Sequence, residues 1–285
     1  MKRVETVDAV REQIARWRRR ELSVAFVPTM GNLHDGHIAL IRHARDRCDR
    51  VVASSFVNPL QFGPDEDFDS YPRTLEQDIE RLIEEQTGLL FTPDVDTMYP
   101  QSQTGATLVS VPHLSGILCG AHRPGHFDGV TTVVAKLFQI VQPDVAVFGE
   151  KDYQQLTLIR RMVADLCMPI EIDGVATQRE ADGLAMSSRN GNLSEEERAI
   201  APRLFQSLRA AADRLSGGED IAEIEAAGVN ALREAGFRPA YFEVCDAANL
   251  SEPNDETAEY VILAAAHLGR TRLIDNIRVN RGVGE

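Results

Sequence analysis

The stretch Val24–Arg45, VAFVPTMGNLHDGHIALIRHAR, restricts the fold more than any other part of the chain. An apolar run of buried-strand type ends in a glycine-containing turn with two histidines, and a helical pattern follows. The first helical turn leaves its backbone N–H groups without intrahelical partners, at the positive end of the macrodipole, so such a turn can hold a phosphate. His34 and His37 are three residues apart and lie on one face of that turn. From this stretch alone an ATP site is expected.

The same grammar repeats downstream. Helices are predicted over 5–19, His37–Asp49, Thr74–Gln86, Val130–Val141 and Tyr153–Leu166, and strands over Leu22–Val27, Val51–Val57, Leu89–Phe91, Val145–Phe148 and Ile170–Val175. Short apolar strands alternating with helices imply right-handed βαβ crossovers, hence an α/β fold with a Rossmann-like parallel sheet covered by helices on both faces. After Asn192 the texture changes. Ser194–Leu215 reads as one helix, with Ser194 and Glu197 as a capping box and Gly217–Gly218 at its end, and Ala222–Ala235 as another. Three strands follow, at Tyr241–Val244, Tyr260–Ala265 and Arg272–Ile277, making a smaller C-terminal α+β domain. The expected domains are 1–177 and 178–285.

A formal charge of −14 argues against a general nucleic-acid binder, which needs basic surface. The four cysteines, Cys48, Cys119, Cys167 and Cys245, have no CxxC spacing, so neither a zinc site nor a disulfide frame is suggested. Arg16, Arg18, Arg19 and Arg20 precede only the short apolar run LSVAFV, too short for a signal or a membrane span. A cytoplasmic chain without a membrane partner is the expectation.

Several loops are richer in polar residues and glycine than connection requires. The His34/His37 turn admits a structural, a metal-binding or a phosphate-binding reading; no further His or Cys follows at metal-ligand spacing, and the position after a strand favours phosphate. Asn58-Pro59-Leu60-Gln61 follows the second strand, at the carboxyl end of the sheet, where Asn58 and Gln61 can read hydroxyls and carboxylates without charge. The acidic run Asp65–Asp69 reads as a solvated face. In Arg123–Gly129, Asp128 reads as a cap for the helix at Val130, or Arg123 and His126 face a charged substrate. Lys151, in Gly149-Glu150-Lys151-Asp152, is placed at a helix start, where a cation opposes the dipole and an anionic ligand explains it. Met186-Ser187-Ser188-Arg189, near the domain junction, offers two hydroxyls and a guanidinium fork to phosphate oxygens.

His34-Asp35-Gly36-His37 followed by Met186-Ser187-Ser188-Arg189 resembles the paired ATP signatures of the adenylate-forming nucleotidyl-transferase superfamily. PTMGNLHDGH at 28–37, NPLQFGPDEDFDSYPR at 58–73, RPGHFDGVTTVVAKLF at 123–138, FGEKDYQQL at 148–156, DGLAMSSRN at 182–190 and RLIDN at 272–276 more closely resemble the pantothenate synthetase (pantoate–β-alanine ligase) family, over nearly the whole chain. The resemblance implies a ligase that joins pantoate and β-alanine through an acyl adenylate. It implies ATP contacts at Met30, Gly31, Asn32, Leu33, His34, Asp35, Gly36 and His37, at Gly149, Glu150, Lys151 and Asp152, and at Met186–Arg189. His37 is implied as proton donor, His34 as a phosphate contact and Lys151 as stabiliser of the α-phosphate; Gln61 and Gln155 are implied to hold pantoate, with Gln61 also near β-alanine. Mg²⁺ is implied on the ATP phosphates, with Asp78 as a protein contact, and a homodimer is implied as well. Gln178 departs from the pattern, which has an apolar residue there, and suits a contact through the backbone. Two other classes compete: a nucleotidyltransferase acting on a phosphate-bearing acceptor, which needs basic acceptor contacts, and a non-catalytic nucleotide-binding module, which has no use for Lys151, His37 and two glutamines together.

Overall fold

The computed structural model describes residues 1–64, 66, 68–103 and 105–280; Asp65 and Asp67, part of the acidic run, lie outside the described residues. By internal contacts the chain divides into two units, Met1–Glu150 with Leu158–Ala176, and Lys151–Thr157 with Thr177–Glu285. The second unit thus takes in Lys151–Thr157, a segment that the sequence reading places in the first.

The first unit is built on a parallel six-stranded sheet in the order β1-β4-β3-β2-β5-β6, namely β1 (Lys2–Val4), β2 (Val24–Thr29), β3 (Arg50–Ser55), β4 (Leu89–Phe91), β5 (Val145–Gly149) and β6 (Glu171–Val175). Its helices are α1 (Val7–Arg18), α2 (Asp35–Arg47), α3 (Leu75–Glu84), three single turns α4 (Val95–Met98), α5 (Pro112–Ser115) and α6 (Cys119–His122), then α7 (His126–Val141) and the body of α8 (Tyr153–Asp165). Central strands read as continuous apolar runs because both faces are covered. Alternate residues of β2 serve the two faces: Ala25 and Val27 pack with Ile41 and Ala44 of α2 and Leu82 of α3, whereas the Phe26 ring meets Phe138 of α7 edge-on at 6.4 Å.

β1, absent from the sequence reading, is a short strand with two of its three residues exposed, and only its pairing with β4 defines it. α7 begins at His126, four residues before the predicted start, with left-handed Gly125 as its N-cap. Asp128 is therefore inside the helix and not its cap, and its carboxylate accepts from the Ser110 hydroxyl at 2.6 Å.

In the second unit an antiparallel sheet, β7 (Arg238–Asp246), β8 (Glu259–Leu268) and β9 (Thr271–Asn280), packs against α9 (Glu195–Ile200), α10 (Arg203–Ser216) and α11 (Ile221–Glu234). The single helix predicted over Ser194–Leu215 is two helices, because Pro202 has no N–H to continue the ladder. The Ser194–Glu197 capping box forms as read. The strands run longer than predicted, since partly exposed polar ends still pair.

Candidate active site

The first sheet reverses its strand order between β2 and β5, the place where open α/β sheets bind ligands beyond the strands' carboxyl ends. β2 and β5 pair from Ala25 with Val145, so Thr29 and Gly149 end level with each other. After β2 the chain takes two left-handed residues, Gly31 (φ 82°) and Asn32 (φ 51°). A Cβ at Gly31 would lie 2.7 Å from Ser55 Oγ, so only glycine fits. Buried Asp78 on α3 accepts the Asn32 and Leu33 N–H groups at 2.9 and 2.8 Å, and the Thr74 hydroxyl at 3.2 Å. Its carboxylate is turned to the backbone of the turn, which is not what a metal contact requires.

α2 opens with His34 as N-cap. His34 Nδ1 accepts from the Gly36 N–H at 3.1 Å, and His37 Nδ1 accepts from the His34 N–H at 3.3 Å. The rings lie 4.1 Å apart, centroid to centroid. With each Nδ1 lone pair committed to a backbone donor, a neutral ring carries its proton on Nε2, so both imidazoles are Nε2–H donors at a helix N-terminus. Asp35, in the same first turn, is ion-paired with Arg81 at 2.9 Å.

Gln61 is buried beside this turn: its Nε2 donates to Met30 Sδ at 3.0 Å and its Oε1 accepts from Asn58 Nδ2 at 3.2 Å. Asn58 is deeper still. It donates to the Gly129 carbonyl at 3.0 Å, and its Oδ1 accepts from the Tyr99 hydroxyl at 2.7 Å and the Leu60 N–H at 3.4 Å. Burial pushes the Tyr99 phenol up, so it stays a donor. Asn58, expected to read substrate, thus has its carboxamide engaged in placing Gln61. Gly129 makes this possible, because a Cβ there would sit 2.3 Å from the Leu60 carbonyl oxygen.

Arg123 and His126 face inward as well. Arg123 grips Glu66 through Nε at 2.6 Å and Nη2 at 2.5 Å, and donates to His126 Nε2 at 2.9 Å. His126 Nδ1 lies 2.7 Å from the Gln61 carbonyl oxygen. The ring is therefore an Nδ1–H donor there and an Nε2 acceptor toward Arg123. Burial alone would raise the Glu66 carboxyl, but the Arg123 hydrogen bonds and charge outweigh it and hold the group below the usual carboxylate range. The charged-substrate reading of Arg123 and His126 gives way to a clamp on the Gln61 main chain.

In the second unit, Lys151 lies in a 3₁₀ turn, Glu150–Asp152, ahead of α8 and not within the helix. Its Nζ is 3.9 Å from Asp152, and its carbonyl accepts from Asn276 Nδ2 at 3.0 Å. Gln155 is half-buried on the first turn of α8. Residues 178–186 form a tight hairpin: Arg179 pairs with Ala185, and the Met186 N–H donates to the Gln178 carbonyl at 2.9 Å. Gln178 thus serves the hairpin through its backbone. Met186, Ser187, Ser188 and Arg189 follow half-exposed, with the Ser187 hydroxyl accepting from the Arg189 N–H at 3.3 Å. Sequence reasoning missed Glu66, Tyr99, Gly129 and Arg179, each of which acts through a partner distant in sequence.

A family model for pantoate–β-alanine ligase matches residues 2–278. The chain belongs to the pantoate–β-alanine ligase family. A pantothenate synthetase from Pseudomonas savastanoi pv. phaseolicola is 55% identical over 282 residues, 99% of this chain and 100% of that one; one from Azotobacter vinelandii is 56% identical, covering 97% and 98%. Among solved structures, the pantothenate synthetase of Thermus thermophilus superposes with a TM-score of 0.91 at 48% identity, covering 97% of this chain and 99% of its own. The Francisella tularensis pantoate–β-alanine ligase, complexed with β,γ-ATP and β-alanine, does so at 0.81 and 34%, covering 100% and 99%.

Proposed function

We propose that this chain condenses (R)-pantoate with β-alanine to pantothenate, using ATP. In the first step a pantoate carboxylate oxygen attacks the α-phosphorus of ATP, forming pantoyl adenylate and expelling pyrophosphate. In the second, the β-alanine amine attacks the acyl carbon, the C–O bond to phosphate breaks, and AMP leaves. Adenylation itself activates the carboxylate, so no protein nucleophile is needed, and catalysis is positioning plus charge stabilisation.

The observation that carries the reading is the imidazole pair at the start of α2, whose Nδ1 atoms are occupied by backbone N–H groups so that both Nε2–H groups are donors. Two such donors on a helix N-terminus suit the charge that grows on transferring phosphoryl oxygens. In this reading Met30–His37, Gly149–Asp152, the Gln178 backbone and Met186–Arg189 contact ATP. His37 and His34 stabilise its phosphates, Lys151 the pentacoordinate α-phosphate, and Gln61 and Gln155 hold pantoate. Asn58 acts by placing Gln61. In this reading Mg²⁺ enters on the ATP phosphates as their counter-ion.

The formal charge of −14 argues against a general nucleic-acid partner. No helix among the described residues is long and apolar enough to cross a membrane. A cytoplasmic homodimer completes the reading, and sedimentation of the purified protein tests the oligomeric part. The catalytic part is tested by pyrophosphate release from ATP, which should require pantoate and proceed without β-alanine. Release without pantoate, or none with both substrates, would overturn it.

A further inference from the structure

The RLIDN motif at 272–276 lies on β9, remote in sequence from every segment assigned to the reaction. From Thr271 to Asp275 buried and half-buried residues alternate along β9, but Asp275 and Asn276 are consecutive and both buried. Successive strand residues point to opposite faces, so each must meet a separate partner.

Asp275 receives the Arg179 guanidinium as a fork, Nη1 to Oδ2 at 2.6 Å and Nη2 to Oδ1 at 2.9 Å. Arg179 also donates to the Gly183 carbonyl at 3.1 Å, and its guanidinium carbon sits 3.5 Å above the Phe205 ring centroid. Asp275 therefore pins the upstream arm of the 178–186 hairpin at Arg179, and Arg179 in turn ties down the turn at Gly183, from which the downstream arm runs into Met186–Arg189. Asn276, from the neighbouring position, donates to the Lys151 carbonyl at 3.0 Å. Two adjacent residues of one strand thus locate the Lys151 turn and the Ser-Ser-Arg loop. A buried ion pair is a poor choice for stability alone, because an apolar replacement of similar volume often does as well or better. Fixing geometry is the use that remains for it.

We propose that Asp275 and Asn276 are a positioning pair that sets the spacing between Lys151 and the Met186–Arg189 loop for the adenylation step. The proposal rests on the ligase reading above. It separates the two half-reactions, because Lys151 and the loop act on ATP phosphates, whereas aminolysis of a preformed acyl adenylate does not pass through the same pentacoordinate phosphorus.

The test measures both half-reactions, with melting temperature, for Asn276→Ala and Arg179→Lys. For Asn276→Ala, kcat for pantoate-dependent pyrophosphate release should fall ~10- to 100-fold, the effect of a small misplacement of reacting groups, while aminolysis of added pantoyl adenylate by β-alanine stays within about twofold. Arg179→Lys keeps the charge but not the fork, and should raise KM for ATP about tenfold with a smaller change in kcat. Should Asn276→Ala not fold, Arg179→Lys still decides, since its side chain is partly exposed. Equal loss in both half-reactions, or unchanged adenylation in both variants, would overturn the positioning pair. Failure of the wild type to release pyrophosphate with pantoate would instead overturn the underlying reading.

Discussion

The turn after β2 and the loop after the 178–186 hairpin, both assigned to ATP in the proposed function, are held in different ways. The β2 turn is held in part by its own residues: Gly31 and Asn32 take left-handed conformations, and the imidazoles of His34 and His37 cap their own helix. Its remote support comes from α3, where Asp78 binds two of its N–H groups and Arg81 donates to the Leu33 carbonyl. The hairpin, by contrast, has local backbone bonds but takes its position from Asp275, 96 residues downstream of Arg179. The turn divides its support between local caps and α3, so losing Asp78 removes two backbone contacts at once; a loop pinned by one side-chain fork moves when the fork does.

The largest effect belongs to the buried remote support of the self-capped turn. Asp78→Ala leaves the Asn32 and Leu33 N–H groups without that acceptor in a partly buried place, at up to about 1–3 kcal/mol for each unsatisfied group. Pyrophosphate release should drop ~10²- to 10³-fold, and the melting temperature should fall by several degrees. A loss smaller than that of Arg179→Lys would break the comparison, since the turn would then need no outside support.

The same contrast explains what the sequence discloses. The strand–turn–helix at Val24–Arg45 is legible because each constraint in it, the apolar run, the Gly31 turn and the histidines three residues apart, lies within a few residues of what it constrains, although the cap at His34 starts the helix at Asp35, two residues before the predicted start. The alternation of strands and helices is legible for the same reason, through periodicity. The roles of Asp78, Asn58 and Arg123 are not. Each is a polar residue whose partner is chosen by the fold, so a carboxylate that suits Mg²⁺ on paper proves to hold two backbone amides. At Pro202 the punctuation is in the sequence, but the strong capping signal at Ser194 masks it, and the helix there breaks in two.

Between the two extremes stands Gln61, whose side chain is placed by Asn58 and whose main chain is clamped by His126. Its setting depends on the start of α7 lying against residues 59–61, which only a glycine at 129 permits. Gly129→Ala should displace the Gln61 segment, lower stability by about 1–3 kcal/mol as overpacking does, and raise KM for pantoate roughly tenfold. KM for ATP should stay within about twofold, because the β2 turn keeps its own supports. Equal changes in both constants would mean that Gln61 and the turn are one device.

The smallest effect is expected at the outer end of that clamp, and it carries a pH signature. Glu66 faces Arg123, with His126 beyond it, and the Gly63 backbone adds a further favourable contact. Its carboxyl is held below the ordinary value, about 4.3 in an unfolded chain. Folding therefore favours the charged form, so the stabilisation is complete above the unfolded value and is lost as pH falls through the folded one. Glu66→Gln removes the charge but keeps the shape. Its melting temperature should lie below that of the wild type by a few degrees at neutral pH, and the gap should close as pH is lowered below about 4. A gap that is constant with pH would show that Glu66 acts through packing. A gap that closes, accompanied at neutral pH by a rise in KM for pantoate alone, would tie the ion pair to the seating of Gln61.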